Sequence, residues 1–172
     1  MENYIPDIYQ KSIYSINYDS LIKRGIKCIL FDLDNTLVPP NNKLPNKKLQ
    51  ELIDELKNKL KIIIFSNSSD KRIKPFIEQL KIDGYGNVDK FFNQNIEEIM
   101  KKYDLNINEI AIVGDQLLTE INLGNIFGIT TIYVNPISKN DSFKIKLKRI
   151  KENKIMKKLR DRDLFLVGRY YE

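Results

Sequence analysis

Ile29-Leu30-Phe31-Asp32-Leu33-Asp34-Asn35-Thr36-Leu37 joins a short apolar run to two carboxylates spaced two residues apart. The segment from Gly25 to Phe31 reads as a buried strand that ends at Asp32. In extended geometry alternate residues point the same way, so the side chains of Asp32 and Asp34 share a direction, and a turn brings both to one ligand. Two carboxylates this close repel. A divalent cation relieves the repulsion, and oxygen donors alone favour Mg²⁺ over zinc or copper. A plainer reading of Asp34-Asn35-Thr36, as a turn or helix cap, accounts for those residues but not for Asp32 at a strand end.

Outward from this stretch, Leu49, Leu52, Ile53, Leu56 and Leu60 recur at helical steps after Pro45, which suits the first turn of a helix. Lys61 to Phe65 is the next strand. Ser66-Asn67-Ser68-Ser69 ends it and offers N-caps to a helix carrying Ile73, Phe76, Ile77 and Leu80, with Pro75 expected to delay its start or kink it. Beyond Gly84-Tyr85-Gly86 the pattern is less regular, until Ile96, Ile99, Met100 and Tyr103 mark a helical face. Strand Ile110 to Val113 runs into Gly114-Asp115. A helix with Leu118, Ile121 and Ile126 then closes at Gly128, and Ile129 to Val134 is a β-branched strand. Such alternation predicts an α/β fold, a parallel sheet covered on both faces, with ligands at the carboxyl ends of its strands. Asp32 with Asp34, Ser66 with Asn67, and Asp115 all arrive at that edge.

The 172 residues are 42% apolar and 30% charged, which fits one domain. One Cys and no His exclude an internal disulfide, a Cys-based zinc site, every His-ligated metal and every Ser–His or Cys–His pair. Carboxylates, hydroxyls, Lys and Arg must carry the chemistry. No apolar run approaches the ~18 to 20 residues that span a bilayer, and Met1-Glu2-Asn3 begins no secretory signal, so a reducing, cytoplasmic setting is expected.

Of the net charge of +6, residues 139–172 contribute 12 Lys and Arg against 5 Asp and Glu, and residues 1–138 contribute 17 against 18. The expected division is therefore a core over 1–140 and a basic amphipathic segment over 141–172. Phe143, Leu147, Ile150, Ile155 and Leu159 fall near helical spacing among its cations. Three readings stay open: a stripe packed on the domain, contact with an anionic membrane surface, and nucleic acid, the least favoured. Tyr4, Tyr9, Tyr14 and Tyr18, interleaved with Ile5, Ile8, Ile13 and Ile16, are expected to pack on the sheet's flank, with headgroup contact the alternative.

The apolar strand followed by Asp32-Leu33-Asp34-Asn35-Thr36 resembles the first motif, Asp-x-Asp-x-Thr, of the haloacid-dehalogenase (HAD) superfamily. Ser66 resembles the hydroxyl of the second motif, and Gly114-Asp115-Gln116-Leu117-Leu118-Thr119-Glu120 resembles the acidic fourth. Lys90, 24 residues before Gly114, stands where the third-motif Lys is expected, with Phe91 in place of the usual Pro; Lys71 and Lys101 compete for that role. Within the superfamily the chain resembles the YqeG group, related to the mitochondrial phosphatidylglycerophosphatases, over nearly its whole length. Pro6-Asp7, Ser12-Ile13-Tyr14, Lys71-Arg72 and Gly114-Asp115-Gln116-Leu117-Leu118-Thr119 carry that likeness together with the basic C-terminus. Glu120 stands where the group often has Asp and is not counted among the expected metal ligands.

The resemblance implies a three-layer α/β/α, Rossmann-like HAD core and Mg²⁺-dependent hydrolysis of a phosphomonoester through a phospho-aspartyl intermediate. Asp32 is the implied nucleophile and Asp34 the general acid and base. Mg²⁺ falls to Asp32, the Asp34 backbone carbonyl and Asp115. Ser66, the Asn67 backbone N–H and Thr36 are the implied substrate contacts, and Lys90 neutralises charge. Only 29 residues separate Thr36 from Ser66, and 23 separate Ser66 from Lys90, leaving no room for a large cap domain. An open site suits a phosphate on a large or surface-bound molecule. The expected substrate is phosphatidylglycerophosphate, with the basic helix concentrating the chain at the inner face of the membrane. Another phosphoester is the alternative, and a catalytically silent scaffold binding RNA or protein is the non-enzymatic one. A phospho-acceptor domain of receiver type is disfavoured, because there the acceptor Asp follows the third strand.

Overall fold

The strand-ending acids meet because the strands that carry them are neighbours in one sheet. The computed structural model describes residues 1–139 and 141–168. Six strands, β1 (Ile8–Gln10), β2 (Cys28–Phe31), β3 (Lys61–Phe65), β4 (Asp83–Tyr85), β5 (Ile110–Gly114) and β6 (Thr130–Val134), pair in parallel in the order β1-β6-β5-β2-β3-β4. The helices are α1 (Tyr18–Lys23), α2 (Lys47–Leu56), α3 (Asp70–Leu80), α4 (Val88–Tyr103), α5 (Asn122–Phe127) and α6 (Phe143–Arg160).

Alternation with period two sorts the strand residues to two faces. Ile29, Phe31, Ile62, Ile64 and Val113 pack against Leu21 of α1, Leu49 and Ile53 of α2 and Phe76 of α3. Cys28, Leu30, Ile63, Phe65 and Ile112 face the other way, onto Val88, Phe92, Ile96 and Ile99 of α4. Both faces are covered, as an all-parallel sheet requires, and the three-layer α/β/α expectation holds. Only α2 lies between β2 and β3, and only α3 between β3 and β4, so no large cap is inserted there. Among the described residues no helix is long and apolar enough to cross a membrane.

Several local expectations are corrected. Asn46, not Pro45, opens α2: its side chain accepts the Leu49 N–H at 2.9 Å, which leaves Pro45 just outside the helix. Ser69 caps α3 by accepting the Arg72 N–H at 3.2 Å, and Pro75 lies inside the helix without delaying its start. Instead of one helix carrying Leu118, Ile121 and Ile126, a π-helical turn (Leu117–Ile121) leads into α5, and Ile126 is 56% exposed. Gly128, at φ 75°, does close α5.

The apolar residues of α6 divide between two faces. Leu159 is buried, whereas Phe143, Leu147 and Ile150 face solvent. The inner face instead carries Arg149, Glu152, Met156 and Leu159, the last two packing with Phe165 against Tyr9, Leu117 and Tyr133. A buried ion-pair network has taken the place of apolar contacts at the helix's first half. Residues 169–172 of the basic segment lie outside the described residues.

Candidate active site

Register fixes the site. Phe31 pairs with Ile64 on one side and Val113 on the other, so Asp32, Ser66 and Asp115 leave three adjacent strands at one carboxyl edge. The Asp32 N–H continues the ladder to the Val113 carbonyl at 3.0 Å, and its buried carboxylate accepts a hydrogen bond from Ser66 Oγ at 2.8 Å. Ser66 Oγ in turn accepts the Ser68 N–H at 3.3 Å, which directs the hydroxyl proton towards Asp32.

Asp34 is half-buried and held by three hydrogen bonds from two side chains. Arg72 of α3 donates to its Oδ1 from Nε at 3.2 Å and from Nη2 at 2.9 Å, and Ser68 Oγ donates to Oδ2 at 2.5 Å. Arg72 Nη1 also donates to the Asn42 carbonyl at 2.5 Å. Asn35 takes the left-handed φ of 65° that Asn tolerates better than most residues. Its side chain accepts from the Ser138 N–H and Oγ at 3.0 and 2.8 Å and donates to Asp141 Oδ1 at 2.9 Å. Thr36 is buried and donates to Asp115 Oδ1 at 3.2 Å, so it braces that acid from behind.

Asp115 is fully buried and paired with Arg149, which reaches in from α6. The guanidinium donates to the Asp115 carboxylate, to its backbone carbonyl at 2.6 Å, to Asp141 Oδ2 at 3.2 Å and to Glu152 Oε2 at 3.1 Å. Glu152 is itself buried, and its other oxygen accepts the Leu118 N–H at 3.0 Å. One cation thus ties the loop after β5 to the C-terminal helix. Beside it, Glu120 accepts from Thr119 Oγ1 at 2.8 Å. A Cβ on Gly114 would lie 2.4 Å from Glu120 Cγ, so this approach demands glycine.

Burial, reinforced by the charge of Asp115, pushes the Asp32 carboxyl up to about 8, with the Ser66 hydrogen bond opposing the rise. Burial likewise pushes Asp115 up to about 6 against the pull of Arg149, and Glu120 lies well above the carboxylate range through burial and the charges of Asp32 and Asp115. Three buried carboxylates therefore repel one another in a space whose donors are all oxygen. That chemistry fits a hard dication such as Mg²⁺. Among the described residues no three acids already close into a metal cage, and Arg149 is the cation that Asp115 holds.

The structure brings together Asp32, Asp34, Thr36, Ser66 and Asp115 of the residues singled out from sequence. Asn67 lies at the same edge, where its Oδ1 accepts the Asp89 N–H at 2.7 Å and pins the start of α4 to the end of β3. Lys90 is not brought in. It is exposed on the first turn of α4, lining a shallow cleft of about 320 Å³ with Asp89 and Phe91, and makes no hydrogen bond or ion pair with Asp32, Asp34 or Asp115. Lys71 and Lys101 are exposed too. Positive charge at the acids comes from Arg72 and Arg149. Arg72 had one usable signal, its place in the first turn of a helix capped beside the site; Arg149, one cation among many in α6, had none.

A family model described as mitochondrial PGP phosphatase matches residues 1–138. The chain is 32% identical over 158 residues to the Bacillus subtilis (strain 168) protein named "Probable phosphatase YqeG", covering 91% of this chain and 92% of that one. It is 27% identical over 176 residues to "Phosphatidylglycerophosphate phosphatase 1, chloroplastic/mitochondrial" of Arabidopsis thaliana, covering 96% of this chain but 48% of that protein's length. Among solved structures, the cobalt-bound deoxy-D-mannose-octulosonate 8-phosphate phosphatase YrbI from Haemophilus influenzae superposes with a TM-score of 0.52 at 15% identity. That match covers 64% of this chain and 69% of the other, and at such identity the likeness is one of fold.

Proposed function

The chain belongs to the family described as mitochondrial PGP phosphatase and is a phosphatase of HAD type, and from that membership we propose that Asp32 accepts the phosphoryl group of a phosphomonoester. The observation that carries this reading is the meeting of Asp32, Ser66 and Asp115 at the ends of three adjacent parallel strands. An Asp32 carboxylate oxygen attacks phosphorus in line with the ester oxygen, and the P–O bond to that oxygen breaks. Asp34 gives its proton to the departing oxygen. A water then attacks the phosphoryl-aspartate while Asp34 takes a proton from it, releasing inorganic phosphate and restoring Asp32.

Asp32, the Asp34 carbonyl and Asp115 would hold Mg²⁺, which supplies charge neutralisation between carboxylate and phosphate. Ser66 Oγ and the Asn67 N–H receive phosphate oxygens. Arg72 donates to Asp34 Oδ1 from both Nε and Nη2, and an incoming phosphate is a bidentate partner for that guanidinium. In this reading Arg72 takes the charge-neutralising role that the resemblance implies for Lys90.

Phosphatidylglycerophosphate is the proposed substrate. The family's description and the name of the Arabidopsis relative support it, and so does a carboxyl edge with no large cap above it. The test is Mg²⁺-dependent phosphate release from phosphatidylglycerophosphate in mixed micelles, beside sugar phosphates, nucleotides and phosphopeptides. The highest kcat/KM is expected for the lipid, with none of the activity surviving EDTA. Preference for a soluble ester would overturn the substrate, and no release from any ester would overturn the reaction.

A further inference from the structure

The two faces of α6 have different chemistry. At about 100° per residue, Phe143, Leu147 and Ile150 fall within about 60° of one another, opposite the buried Glu152. They are 76%, 51% and 55% exposed. Lys146 and Lys157 border this stripe on one side and Lys144, Lys151 and Lys158 on the other, and Lys154 continues its line one turn beyond Ile150. Glu152 is the one acidic residue of α6, and it is turned inward onto Arg149. The outer face is therefore apolar and cationic without a single carboxylate. An ion pair between Lys148 and Asp89, at 3.9 Å, brings the first turn of α4 alongside, with Lys90 and the half-exposed Phe91.

We propose that α6 is an interfacial helix that seats the catalytic edge on an anionic lipid bilayer, with Phe143, Leu147 and Ile150 entering the headgroup–acyl boundary and the flanking lysines holding anionic headgroups. An apolar stripe between two rows of long cationic side chains is the arrangement that buries carbon while the ammonium groups stay wet. A protein partner fits this face less well, because lysine is depleted from protein interfaces. Nucleic acid fits it less well too, since of the stripe only Phe143 could stack on a base and Leu147 and Ile150 could not. The docking deepens the lipid reading above, on which its biological sense rests: Arg149 on the opposite face grips Asp115, so bilayer and site stand about one helix diameter apart, roughly 10–12 Å.

The test is co-sedimentation of the full chain with phosphatidylcholine vesicles, with and without phosphatidylglycerol. Binding is expected only with the anionic lipid, and is expected to weaken at high salt. The triple variant Phe143→Ser/Leu147→Ser/Ile150→Ser should lose at least about tenfold in vesicle affinity. Lys144→Gln/Lys151→Gln/Lys158→Gln should lose affinity and salt dependence together. Both variants should hydrolyse p-nitrophenyl phosphate as the wild type does, which shows that they fold. Vesicle binding unchanged in both variants, no binding of the wild type to anionic vesicles, or preferential binding of duplex RNA would overturn the proposal. These vesicles carry no phosphomonoester, so docking can fail while phosphatase activity stands, and activity can fail while docking stands.

Discussion

At Asp32, the burial that keeps water from a reactive carboxylate also opposes its ionisation. With the folded carboxyl near 8 against an ordinary 3.8, the native state holds a proton that the unfolded chain has already lost. The native state then binds more protons, so this residue's contribution to stability is full below about pH 4 and is lost as pH rises towards about 8. In EDTA, the unfolding free energy of the wild type relative to Asp32→Asn is therefore expected to fall between about pH 5 and about pH 8. Denaturant titrations at several pH values measure it, and a difference that ignores pH would contradict the assignment. Asn keeps an oxygen for Ser66 but loses the nucleophile, so phosphate release should drop by about 10³-fold or more in a folded protein. Gly114 offers a second test at this scale. The methyl group of Gly114→Ala would meet Glu120, and such overpacking costs about 1–3 kcal/mol, readable as a lowered Tm.

Among the elements, the buried strands were the legible ones. β2, β3 and β5 are largely continuous apolar runs because both their faces are covered, and such runs announce themselves, while β6 shows by its β-branched residues. β1 and β4 are three-residue edge strands, too short for any period to show. The acids at strand ends could be read from spacing, since each directly follows an apolar run. Arg149 could not, and Arg72 only through its place in the first turn of a capped helix: their partners Asp34 and Asp115 lie 38 and 34 residues away, and only the folded chain brings them together. Lys90 shows the converse, a position that the resemblance to the third motif singles out and that lies exposed on the first turn of α4. In α6 the apolar period did not show which face is buried, because that face holds Arg149 and Glu152, which satisfy each other. Removing one partner of such a buried pair strands the others. Arg149→Ala is expected to cost about 3–5 kcal/mol, with part of the loss recovered in Arg149→Ala/Glu152→Gln. Thermal unfolding of the two variants checks this, and a neutral single variant would contradict it.

Across the whole molecule, charge is divided between a basic C-terminal segment and an acidic site. A chain of net charge +6 keeps Asp32, Asp115 and Glu120 buried at one sheet edge, where their mutual repulsion opposes folding until a cation answers it. Mg²⁺ at about 100 times its Kd should therefore add about 2.7 kcal/mol to the unfolding free energy. Asp115→Asn should lose that gain. Calorimetry in EDTA and in Mg²⁺ reads both, and a wild type indifferent to the metal would contradict the proposed ligand set.

Asp32 as phosphoryl acceptor is tested most directly by rapid acid quenching during Mg²⁺-dependent turnover of a phosphomonoester, followed by mass mapping of the peptides. The predicted result is one added phosphoryl group on the peptide containing Asp32, absent from Asp32→Asn. Phosphate released at the full rate with that peptide unmodified, or with the group carried on another residue, would contradict it.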